Sequence, residues 1–277
     1  MKSRIVRPLV LTVGMLGASA TLAFAHDLFL KPDAFFVAPN TTVHLTAMNG
    51  TFTTSEASVT SDRLLDLAIV GPTGRTRADN ATWTAPGNAS RWVAKVGGPG
   101  TYVLGASLRP RLISMKGSAF NAYLTDDGLP DILAARKASH ELAKPSTERY
   151  AKHVKALVQV GDVHSANYST VLGYPAEIVP MENPYEATKG VRVLHVRALV
   201  DGKPMADQVV LAGGRTASGA RMKAQTVRTD AQGVATISLA SPGVWYVKFI
   251  RMVKVPAAPK DSVDYESKWA TLTFAIR

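Results

Sequence analysis

The chain has 277 residues, 46% of them hydrophobic and 19% charged, with 32 Lys+Arg against 21 Asp+Glu and no cysteine. That balance can bury a core and excludes broad disorder, and the length suits one large or two modest domains. Without Cys there are no disulfides, thiolate metal sites, iron–sulfur clusters or Cys nucleophiles, so any metal must bind through His, carboxylates, backbone groups or the chain terminus.

Residues 1–25 read as a signal peptide. Lys2, Arg4 and Arg7 precede an uncharged stretch from Pro8 to Ala25. Its apolar heart, Leu9 to Leu16, is shorter than the roughly 20 residues a membrane-spanning helix needs. Ala23-Phe24-Ala25 fits a small-residue cleavage site and would leave His26 first, whereas cutting after Ala18-Ser19-Ala20 would leave Thr21 first. No later segment is long and apolar enough to span a bilayer, so the expectation is a periplasmic or secreted protein without a transmembrane segment in its mature chain.

From His26 to about Asn121 the pattern is short strands with Gly/Pro/Asn punctuation, which predicts a β-sandwich. Val43 to Ala47 alternates, Leu64 to Val70 is a compact apolar run, and Arg91–Val96 and Thr101–Leu108 flank Gly97-Gly98-Pro99-Gly100, read as a hairpin connection. Leu129 to Lys144 has near-helical spacing between Pro130 and Pro145 and predicts one short helix. Val154 to Val160 alternates again, with His153, Lys155 and Gln159 on the face read as polar. A Pro-rich crossing over 174–190 separates an N-terminal β-rich domain (26–175) from a C-terminal Ig- or transthyretin-like sandwich (191–277). Strands are expected in the latter at Val191–Val200, Val209–Leu211, Ala224–Arg228, Val234–Leu239, Val244–Val253 and Trp269–Ile276, with Gly213-Gly214 as a turn. The fold class is therefore mainly β, two sandwiches with one helix between strands.

Removing residues 1–25 leaves a net +8, and the excess is uneven. Residues 26–190 hold 16 Lys/Arg and 15 Asp/Glu, whereas residues 191–277 hold 13 and 6. No basic stripe interleaved with aromatics is present, which argues against nucleic acid. The C-terminal excess is either a solvated surface or a patch for a membrane or protein partner.

There is no G-x-S-x-G, P-loop, G-x-G-x-x-G or H-E-x-x-H, so nothing in the sequence supports an enzyme. His44, His140, His153 and His195 sit at positions read as solvated, and His164 follows Asp162 in a loop. His26 differs because of its position. At a mature N-terminus it offers a free amine and an imidazole, a chelating pair suited to Ni²⁺ or Cu²⁺, with the Asp27 carboxylate beside it. The amino-terminal copper/nickel motif needs His at the third mature position, which is Leu28, so further ligands must come from elsewhere in the fold.

Several segments occur together in a telling order: His26-Asp27-Leu28-Phe29-Leu30-Lys31-Pro32, Phe120 to Leu124 with Gly128-Leu129, Glu148 to Leu157, Glu177 to Pro180 with Asn183-Pro184-Tyr185, and Tyr265 to Phe274. In this order they resemble the NikM-like periplasmic proteins associated with nickel and cobalt uptake, a group overlapping a broad bacterial family of unknown function. The resemblance implies an accessory metal-binding component working with a membrane importer, with His26 and Asp27 facing the metal, Ni²⁺ or Co²⁺, and Cu²⁺ possible. Independently of the resemblance, one further histidine is expected to be brought in by folding, His44, close by in sequence, or His164. Where similar proteins have a His before the Met of the last long strand, this chain has Arg251, and a guanidinium offers no lone pair to a metal. Two other readings compete: a non-catalytic interaction module using the basic C-terminal face, and a copper enzyme with a histidine brace built on His26 and a second His.

Overall fold

The computed structural model describes residues 26–186, 192–256 and 263–277. The signal-peptide assignment lies outside the described residues. Among the described residues eighteen strands and two α-helices follow one another. The first half holds β1 (Asp27–Pro32), β2 (Phe36–Val37), β3 (Thr42–Gly50), β4 (Leu64–Gly71), β5 (Gly74–Arg77), β6 (Trp83–Thr84), β7 (Ser90–Lys95), β8 (Gly100–Leu108), β9 (Arg111–Met115), α1 (Gly117–Asp126), α2 (Pro130–Ala138) and β10 (Ser146–Val160). Then come β11 (Ala176–Pro180), β12 (Arg192–Val200), β13 (Lys203–Pro204), β14 (Val209–Thr216), β15 (Gln225–Arg228), β16 (Val234–Leu239), β17 (Gly243–Lys254) and β18 (Tyr265–Ile276).

The chain is mainly β, as its punctuation and alternation predict, and its strands form three layers. The middle layer is a ten-stranded sheet in the order β15-β14-β17-β18-β10-β8-β4-β5, with β2 and β9 also paired to β10. One face of this sheet packs on the sheet β1-β3-β7-β6, where Leu30, Leu45 and Trp92 meet Leu104, Ala106, Val154 and Val158. The other face packs on β11, β12, β13 and β16, where Ile178, Leu194, Val196 and Ile237 meet Leu157, Val247, Phe249, Leu272 and Phe274. Helices α1 and α2 cover the remaining part of the first face through Phe120, Tyr123 and Leu124 against Ile250, Tyr265 and Trp269. The middle sheet is therefore covered on both faces, and its central strands bury both.

Joining the layers is β10, whose 15 residues exceed the run its alternation suggests. It pairs antiparallel with β9 and then β8 along one edge, and parallel with β18 along the other, Glu148 opposite Tyr265 through Ala156 opposite Thr273. One sheet thus runs through both parts of the expected division at 174–190.

Four local expectations change. Gly97–Gly100 is not a hairpin: β7 belongs to the outer sheet and β8 to the middle one, so the segment is a corner between layers. Gly213 and Gly214 lie inside β14 rather than in a turn, and a Cβ on Gly213 would stand 2.7 Å from the Tyr246 hydroxyl. The missing side chain lets that ring lie across the strand. Helix α1 was not foreseen, although Phe120, Tyr123 and Leu124 follow helical spacing, and α2 is shorter than the predicted 129–144. It starts at Pro130, which fits a first helical turn, and Gly128, at φ 75°, makes the left-handed link between the two helices. Finally, the face of β10 read as polar is buried: His153, Lys155 and Gln159 are each at most 3% exposed. Polar side chains mark a solvated face only when no layer covers it.

Candidate metal-binding cleft

A cavity of about 610 Å³ opens on the middle sheet over β14 and β17, between the start of β1 and the end of α1. His26 and Asp27 line one wall, Asp126 and Asp127 another, and Arg215 and Arg221 a third. Its floor is aromatic. The rings of Phe29, Phe52 and Tyr246 pack with centroids 4.8–5.2 Å apart.

Two buried lysines hold the first described residues in place. Lys152, on β10, donates from Nζ to the His26 carbonyl oxygen and, at 3.0 Å, to Asn49 Oδ1. Burial pushes this ammonium down to about 8, and the Asp27 and Asp127 carboxylates oppose that shift. Lys248, on β17, bridges Asp27 Oδ2 at 2.5 Å and Asp127 Oδ1 at 2.8 Å. Burial alone would lower Lys248, yet the two carboxylates hold it above the ordinary lysine range. Asp127 is pushed up to about 6 by burial, against the pull of Lys248. Behind this row, Tyr123 donates to Glu148 Oε1 at 3.2 Å and its ring stacks on Trp269. Glu148 also accepts from Ser267, and burial raises it to about 6.

With its backbone gripped, His26 presents its imidazole at the cleft, where Nε2 lies 3.1 Å from Glu56 Oε2. This nitrogen and this oxygen are both donors for a borderline divalent ion. Asp27 keeps one buried oxygen, Oδ1, without a hydrogen-bond partner. The donor chemistry fits a transition metal, but the set is incomplete. Among the described residues no three His, Asp or Glu are gathered as a metal group.

The expectation that folding brings His44 or His164 to His26 is not met. His44 is exposed on β3, six residues from Gly50, which pairs with Asp27; that is about 20 Å of extended chain. His164 is exposed beyond the far end of β10 and lines a separate cavity of about 510 Å³ with Phe36 and Arg277. Of the others, His140 is exposed, His195 pairs through Nδ1 with Glu182, and His153 is buried against Ser107. A histidine brace therefore finds no second imidazole beside His26 among the described residues. Arg251, at the position where a His was sought, is exposed on β17.

Glu56, Lys152 and Lys248 were not anticipated. Nothing local links positions 26, 56, 152 and 248, but a lysine inside an apolar run, as in Val247-Lys248-Phe249, is a legible sign of a buried partner. Part of the C-terminal positive charge is also paired, at the surface. Arg228 pairs with Asp131 at 2.8 Å and Lys254 with Glu141 at 2.7 Å, both carboxylates of the helical segment. These contacts leave less of the basic excess for an external partner.

A family model described as a domain of unknown function, DUF4198, matches residues 23–252. No curated protein sequence matches the chain. Among solved structures, trypsin-activated alpha-2-macroglobulin from Escherichia coli is similar at 10% identity and a TM-score of 0.22, covering 91% of this chain and 16% of that one. A DUF4785 family protein from Legionella pneumophila is similar at 10% identity and a TM-score of 0.24, with coverage of 79% and 50%. The chain spans half or less of the length of these two structures.

Proposed function

The chain belongs to the DUF4198 family, a domain of unknown function, and from the geometry of its cleft we propose that it is an exported transition-metal-binding protein, an accessory to nickel or cobalt uptake. The observation that carries this reading is the fixed placement of His26. A terminal residue is ordinarily loose, yet two buried lysines hold this segment, one by the His26 carbonyl and one by the Asp27 carboxylate. Its imidazole lies beside the Glu56 carboxylate, and His26 also lines the cavity over β14 and β17. Cleavage after Ala25 would add the free amine of His26 to the same point.

The chemistry is binding rather than turnover. The His26 imidazole contacts the cargo ion, Glu56 supplies a carboxylate, and Lys152 and Lys248 hold the segment without touching the metal. The paired charges of the C-terminal part favour this reading over a docking module built on its basic face. Calorimetric titration of the exported protein with Ni²⁺ tests it. His26→Ala is expected to weaken binding at least tenfold and Glu56→Gln by a smaller factor, with the fold intact by circular dichroism. Equal Ni²⁺ binding by wild type and His26→Ala overturns the proposal.

A further inference from the structure

The cleft is too large and too unevenly charged for a bare ion. An octahedral ion with its water shell occupies about 200 Å³, taking about 30 Å³ for each water, whereas the cavity measures about 610 Å³. The protein also supplies few donors. His26 and Glu56 approach each other, and no third His, Asp or Glu completes a metal group among the described residues. A borderline ion held there keeps coordination positions open, for water, for the His26 amine or for a ligand that enters with it.

The two arginines of the lining indicate what such a ligand would be. Arg215 and Arg221 face each other across an antiparallel bridge between β14 and the segment that follows it. Like charges set opposite in this way repel, and among the described residues neither guanidinium has a carboxylate partner. Arg215 donates only to the Gly219 carbonyl, at 3.2 Å. Two guanidiniums side by side suit carboxylates, which they can bind in a fork. In the same lining, the rings of Phe52 and Tyr246 offer an apolar surface for a short carbon skeleton.

We infer that this cleft takes the metal ion as its complex with a small polycarboxylate chelator, His26 completing the metal's ligands while Arg215 and Arg221 hold the chelator's free carboxylates. The inference rests on the proposed role of His26 as the metal contact, and it names the form in which the cargo arrives. No bond in the chelator is made or broken; the imidazole replaces one water on the metal.

The test compares three probes on the exported protein by calorimetry: Ni²⁺ alone, a 1:1 Ni²⁺–citrate complex, and citrate alone. The expected result is that Ni²⁺–citrate binds at least tenfold more tightly than Ni²⁺ alone, and that citrate alone binds weakly. The double variant Arg215→Gln/Arg221→Gln should lose that advantage and bind Ni²⁺ alone at least as tightly as wild type, because two positive charges are gone from the lining, while His26→Ala should lose both. Exposed or half-buried, both arginines can be replaced without opening the core. If citrate strips Ni²⁺ from the wild-type protein, the chelate inference fails while His26-dependent binding of Ni²⁺ still stands. If citrate alone binds as tightly as its complex, the cleft is a carboxylate site and the inference fails. If neither nickel form binds, both this inference and the metal-binding reading fall.

Discussion

Among the buried residues, His153 illustrates how a titratable group behaves with no counter-charge. Its Nδ1 lies 2.9 Å from Ser107 Oγ and its Nε2 has no hydrogen-bond partner. Burial, with a smaller contribution from Lys268, pushes it from 6.5 down to about 4. Between those values the unfolded chain binds a proton that the folded chain does not, so acidification through this window removes stability. By pH 4 the loss from this residue alone is about 3 kcal/mol. Glu148 acts in the opposite sense. Raised by burial from 4.5 to about 6, it favours the folded state as pH falls across that interval. Comparing wild type with His153→Gln cancels the Glu148 contribution. Urea unfolding at pH 7 and pH 4 should show wild type losing about 3 kcal/mol more than the variant; identical losses would contradict the assignment. At the same scale, His26 was legible because its position changes its chemistry. Glu56 was not, since only the fold sets that carboxylate beside the imidazole.

Within the elements, the informative comparison is between strands whose alternation means what it shows and one whose alternation misleads. β7 and β16 alternate buried and less buried residues because one face of each is uncovered, and both were readable from sequence. β10 alternates in the same way, yet a layer covers each face. Lys155 on its second face is 3% exposed and pairs with Glu177 at 3.0 Å; Glu177 also accepts from the backbone N–H groups of Leu172 and Tyr174, each at 2.8 Å. One carboxylate thereby neutralises a strand lysine and shapes the approach to β11. Burial lowers Lys155, and Glu177 opposes that shift. Lys155→Met should cost about 3–5 kcal/mol, because it leaves Glu177 charged and without its counter-ion. Adding Glu177→Gln should restore part of that loss, since the amide oxygen can keep one backbone bond without a buried charge. Chemical denaturation measures both steps, and a loss under about 1 kcal/mol in the single variant would show that water reaches the pair.

Taken whole, the molecule is organised around a sheet to which both parts of the chain contribute. The order β17-β18-β10 places strands from distant parts of the sequence side by side, and Lys248 reaches from β17 to Asp27 and Asp127. Ion pairs from Arg228 and Lys254 to the helical segment add to the same seam. Calorimetry of the full chain is therefore expected to show one cooperative transition, and residues 191–277 expressed alone should show none, because β18 would lose its pairing with β10. Two separate transitions would restore the picture of independent sandwiches. That picture was natural from sequence, since each part has its own alternating strands and turns. Parallel pairing of β10 with β18 leaves no local signature, because nothing near either strand names a partner more than a hundred residues away.

The place of β18 has a kinetic corollary. This strand occupies a central slot in the middle sheet, between β17 and β10, and it follows both of them in the chain. Every other strand of that sheet can be made and crossed over before β18 exists, but the two groups of strands cannot join. Until then the edges of β10 and β17 that β18 joins stay unpaired, and open strand edges invite association with another chain. The sequence separation across this seam must also be closed before its hydrogen bonds form, which slows folding. A chain in which β18 has not yet paired thus holds two half-sheets with open edges, and they become one sheet only when that strand is inserted.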